Sequence, residues 1–94
     1  MNLPPIELNE AEQRFEVRVD GLTAFVAFRR FPGVIDFFHT LVPPELGGRG
    51  IGSALARHVL DYATEHRLKV IPSCEFIAAY IAKHPQYLPL VQAN

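Results

Sequence analysis

The chain has 94 residues, with 9 Lys or Arg against 10 Asp or Glu and a formal net charge of −1. That length suits one small domain, so residues 1–94 read as a single unit that needs nearly every apolar side chain for its core. The near-balanced charge argues against a broad basic surface for nucleic acid, and no apolar stretch reaches the ~20 residues of a membrane span. A single cysteine, Cys74, allows no internal disulfide, and a reducing cytoplasm is the simplest setting.

Residues 1–12 are polar and carry Pro4-Pro5, which suggests a loose leader without the features of a secretory signal. Phe15, Val17 and Val19 then alternate with Arg14, Glu16 and Arg18, the pattern of a half-buried strand. Asp20-Gly21 is a hairpin signal, and Leu22 to Phe28 reads as the returning strand. After Phe31-Pro32-Gly33 a third strand is expected over Val34 to Val42, closed by Pro43-Pro44. Ile51, Leu55, Val59, Tyr62 and His66 then recur at helical spacing, with Arg57 and Asp61 placed to pair one turn apart.

Leu68 to Ile71 is a short strand, and Ser73 is placed to cap a second helix running from about Cys74 to Lys83. Its inner side should carry Phe76, Ile77, Tyr80 and Ile81, and His84-Pro85 should end it. The tail from Gln86 to Asn94 has enough apolar residues to pack in part. The strand–helix–strand portion over 34–71 implies a parallel crossover, so the sheet should be mixed.

Between the third strand and the first helix lies Gly47-Gly48-Arg49-Gly50-Ile51-Gly52. A helix N-terminus offers unpaired N–H groups and a positive dipole end, and glycines before it let an anion reach the backbone. Arg49 adds a formal charge, and Ser53 a hydroxyl. A P-loop would need lysine where Ser53 stands, and a dinucleotide turn would need different glycine spacing within a βαβ unit.

The loop instead resembles the Q/R-x-x-G-x-G/A pyrophosphate loop of the GNAT acetyltransferases, with Gly50 and Gly52 on its two glycines. His39-Thr40-Leu41-Val42-Pro43-Pro44 before it, Pro72-Ser73-Cys74 after the next strand, and Lys83-His84-Pro85-Gln86-Tyr87 near the end are similar to the short YjdJ-like branch of that superfamily. Gly47 replaces the expected Gln or Arg, and Leu41 stands where that branch has Glu. The resemblance implies an α+β (α/β) GNAT-like mixed sheet, an antiparallel β-meander followed by a β-α-β-α unit that binds acetyl-CoA.

It further implies transfer of acetyl from acetyl-CoA to an amine acceptor, a small molecule or a protein; the alternative is a coenzyme A-binding module with little or no catalysis. The expected cofactor contacts are Thr40, Leu41, Val42, Gly47, Gly48, Arg49, Gly50, Ile51, Gly52 and Ser53. Backbone N–H groups of Thr40 to Val42 would polarise the thioester carbonyl. Cys74 has two readings, a nucleophile favoured by a helix N-terminus or a small buried hydrophobe. Tyr80 falls where many members carry a general-acid tyrosine, and equally reads as an inward aromatic. His39 is a candidate base or an ordinary sheet histidine. His58 and His66 lie eight apart on the helix with no further ligand nearby in sequence, so no metal site is expected. The acceptor's identity and the oligomeric state are not encoded in any of these motifs.

Overall fold

The computed structural model describes residues 3–92. Its sheet has five strands in sequential order: β1 (Glu7–Asn9), β2 (Arg14–Val19), β3 (Leu22–Phe31), β4 (Val34–Leu41) and β5 (Lys69–Ile71). The first four pair antiparallel, and β4 pairs β5 in parallel, as the crossover through helix α1 (Ile51–Glu65) requires. Helix α2 (Glu75–Lys83) follows β5, and the tail closes in a 3-10 segment, Pro85–Leu90.

The alternation in β2 sorts its side chains cleanly. Phe15 and Val17 are buried, and so are Ala24, Val26 and Phe28 across β3 and Ile35 and Phe37 in β4. These meet Ile51, Leu55, Ala56, Val59, Leu60 and Ala63 of α1 and Ile77 and Ile81 of α2 in one core. Both helices therefore cover the same side of the sheet. The other side carries Arg14, Arg18, Phe25, Arg29, Phe38, His39 and Leu41. There Arg14 lies over the Phe25 ring at 4.6 Å and Arg29 over Phe38 at 4.2 Å. Among the described residues no helix is long and apolar enough to cross a membrane.

Three local features differ from the sequence expectation. The leader is not loose throughout: Glu7–Asn9 adds an edge strand to β2, held by an Asn9 amide that donates to Glu16 at 3.1 Å. Its first two residues lie outside the described ones, as do the last two of the tail. Second, Cys74 rather than Ser73 occupies the N-cap of α2, with no side-chain cap. On α2 Phe76 is 42% exposed, while Ile77 and Ile81 are buried, so the inner face is centred on those two and Phe76 lies at its margin. Third, His66 sits in the C-cap of α1, exposed and stacked on Tyr62 at 3.9 Å. The expected Arg57–Asp61 pair forms at 3.8 Å.

The Asp20-Gly21 turn has φ of +52° and +76°, the two positive values a type I′ hairpin requires. In the tail Tyr87 is buried and donates to Asp61 on α1 at 2.7 Å, fastening the C-terminal segment to the helix.

Candidate active site

Strands β4 and β5 pair only from Val34↔Lys69 to Asp36↔Ile71. Beyond that, Pro72 and Ser73 lead the chain away and the two strands part. The bulge in β4, where Ala27 faces His39 and Phe28 faces Phe37, leaves Phe38 as the extra residue just past that point. One strand edge is thus unpaired from Phe38 to Leu41, and alternate backbone groups there face the gap. Across it the Cys74 N–H donates to the Phe37 carbonyl at 2.9 Å, and the Cys74 thiol donates to the Thr40 hydroxyl at 3.4 Å. The N-terminus of α2 is therefore held beside β4 where β5 no longer is.

At the end of β4 the chain makes a single 3-10 turn, Pro44–Leu46, with Leu46 buried as its anchor. The glycine run then feeds α1. Gly50 is the N-cap at φ +76° and ψ +14°, a left-handed conformation that costs other residues roughly 1–2 kcal/mol. No side chain caps the helix, so its first N–H groups remain available. They border a cavity of about 250 Å³ lined by Val42, Leu46, Gly47, Gly48, Gly50, Ile51, Gly52, Ser53 and Phe76. A side chain at Gly52 would meet its neighbour rather than strain the backbone: a Cβ there would lie 2.9 Å from Cζ of Phe76.

A second cavity of about 210 Å³ shares Ser53 and Phe76 with the first and is lined besides by Ala79, Tyr80, Lys83 and His84. Tyr80 stacks on His84 at 3.9 Å, and His84 Nδ1 lies 2.8 Å from the Tyr80 carbonyl. Phe76 and Ser53 thus border both cavities. The helical spacing that suggested an inward Phe76 did not show this, because spacing alone does not separate the centre of an apolar stripe from its margin.

The structure brings Thr40 and Cys74 together at the gap, and the glycines, Ile51, Ser53 and Val42 around the first cavity. Tyr80 belongs to the second. Leu41 is 43% exposed on the open sheet face, and His39 packs edge-on against Phe25 there at 5.9 Å. Among the described hydrogen bonds none joins His39 to Cys74 or Tyr80. Arg49 is engaged: its guanidinium donates to Asp20 at 2.8 Å, from the tip of the β2–β3 hairpin. The two are 29 residues apart, so no local pattern could have signalled the pair.

The chain's similarities to known proteins agree with this layout. A model of the GCN5-related N-acetyltransferase family matches residues 14–90. Protein NATD1 of Mus musculus is 36% identical over 94% of this chain and 86% of its own length. The Homo sapiens NATD1 is 34% identical over 93% of this chain and 81% of its own length. A GCN5-like protein of Staphylococcus aureus, solved by NMR in solution, superposes with a TM-score of 0.72 at 30% identity, covering 95% of this chain and 90% of that one. Matched over most of its length, the chain belongs to the GCN5-related N-acetyltransferase family.

Proposed function

We propose that the protein transfers acetyl from acetyl-coenzyme A to an amine acceptor, and that it belongs to the short YjdJ-like branch of its family. The observation that carries this reading is the cavity at the uncapped N-terminus of α1, floored by Gly48, Gly50, Ile51 and Gly52. Exposed N–H groups and the helix dipole suit a diphosphate there. Ser53 and, once released from Asp20, Arg49 add to that cradle.

The parted edge of β4 supplies the second requirement. Backbone N–H groups between Thr40 and Val42 lie along it, where a thioester carbonyl would gain charge during transfer. In this reading the amine nitrogen forms its bond to the acetyl carbon as the carbon–sulfur bond breaks. The departing sulfur takes up the proton that the nitrogen loses. Cys74, 3.4 Å from Thr40, is the side chain best placed to contact the acetyl group. Tyr80 and His39 remain candidates for moving the proton.

A second reading, a coenzyme A-binding module without transfer, is favoured by the lack of any hydrogen bond among Cys74, Tyr80 and His39 within the described residues. Incubation with isotopically labelled acetyl-CoA and a panel of primary amines separates the two. The first reading predicts label on an amine. Label on neither amine nor Cys74, with acetyl-CoA bound, would establish the module.

A further inference from the structure

We propose that Asp36, reached from the open face of the sheet, is the docking point for the acceptor's ammonium group, which releases one proton to water to become the attacking amine; this rests on the acyl-transfer reading above. Among the described residues Asp36 is the buried charged one, 8% exposed. Among the described residues its Oδ1 is the buried side-chain polar atom with no hydrogen-bond partner. Oδ2 has only Arg29, whose Nη1 lies 3.9 Å away, too far for a hydrogen bond. Buried polar groups almost always find partners, and a buried carboxylate lacking one is costly. Such a group fits a site completed by a cationic ligand.

Its position fits the same conclusion. Asp36 faces Ile71 in the last parallel pair before β4 and β5 separate. Its neighbour Phe37 holds the Cys74 N–H, so the carboxylate stands one residue from the gap where the acetyl group would lie. It pairs across β3 with Arg29, and so belongs to the face the helices leave uncovered. The ring of Phe38 is on that face and already carries a cation, the Arg29 guanidinium at 4.2 Å. A carboxylate beside an aromatic face is ammonium-binding chemistry.

The ligand class is therefore an unhindered primary ammonium on an alkyl chain. Arg29, with its side chain 59% exposed, is the resident cation that such a group would displace.

The test titrates the full-length protein with n-butylammonium chloride, and in parallel with n-butanol, its neutral counterpart. The carboxyl carbon of Asp36, the Arg29 Nε and the Phe38 ring are followed by NMR. Saturable shifts at all three with the ammonium, and none with the alcohol, are expected. Asp36→Asn should remove them, weakening ammonium binding about tenfold or more, while acetyl-CoA still shifts Gly48 to Ser53. Arg29→Ala, which leaves the carboxylate in place, should bind the ammonium several-fold more tightly and keeps the test decisive if Asp36→Asn fails to fold. No shift at Asp36 in either the natural protein or Arg29→Ala, or equal shifts with the alcohol, would overturn the inference. Failure of acetyl-CoA to shift Gly48 to Ser53 would instead sink the function it rests on.

Discussion

Gly52→Ala separates binding from stability more sharply than any other change in the loop. Gly52 lies in the first turn of α1 with ordinary helical backbone, so alanine introduces no backbone strain. Alanine is a better helix former than glycine by roughly 0.8–1.0 kcal/mol in a helix interior, and by less near an end. Against that, the new methyl would sit 2.9 Å from Phe76 Cζ, where ordinary contact begins near 3.4 Å. The ring tip must therefore move by about 0.5 Å (3.4 − 2.9). Phe76 is half-exposed, and its tip can swing into solvent at little cost. The two effects nearly cancel, leaving stability within about 1 kcal/mol of the parent.

Ligand affinity has no such compensation. The methyl stands where a phosphate must approach the backbone, and the displaced ring moves within the shared groove. Loss of one or two charge-assisted N–H bonds, each worth roughly 1.5–3 kcal/mol, weakens acetyl-CoA at least about tenfold. Urea unfolding and calorimetric titration measure the two quantities. Gly50→Ala should divide them differently, losing about 1–2 kcal/mol of stability through its left-handed backbone. An unchanged Kd for acetyl-CoA in a stably folded Gly52→Ala protein would refute the argument that this glycine exists for the ligand.

Other changes reach further. Asp20→Asn frees Arg49, and because exposed ion pairs contribute only ~0.2–1 kcal/mol, acetyl-CoA should bind more tightly at low salt, by up to about fivefold; titration at two ionic strengths would detect it. Tyr87 is raised to about 12, first by burial and then by its hydrogen bond to Asp61. With the folded value above the ordinary phenol value of 10.0, its stabilisation is complete below pH 10.0 and is lost as pH rises toward 12. Thermal unfolding across that range should show the decline, and Tyr87→Phe should abolish this component while costing about 1 kcal/mol at neutral pH. Cys74→Ala should leave acetyl-CoA binding unchanged; label transfer to the amine at the parent rate would reduce the cysteine to lining the gap.

Much of the fold was legible because its signals are local. The period of two in Arg14 to Val19, the Asp20-Gly21 turn and the apolar spacing from Ile51 to Val59 each needed only neighbouring residues. Strand β1 was not, since three residues that mostly face water carry no pattern apart from their partner strand. The start of α2 was misplaced by one residue because Ser73 looked like the better cap, yet the Cys74 N–H is drawn to Phe37 on another strand. Phe76, expected in the core, instead flanks the buried Ile77 and Ile81 and lines both cavities. The glycine loop stood out in sequence because helix-terminus chemistry needs contiguous residues. Asp36 did not: its burial depends on strands meeting across the sheet, and in an apolar run it looked like one polar interruption.

Amide-resolved NMR titration of the natural protein with acetyl-CoA tests the central claim most directly. The account predicts saturable shifts concentrated at Gly48 to Ser53, continuing along Thr40 to Val42 and into the start of α2. A protein whose loop amides stay unmoved at saturating acetyl-CoA would contradict it.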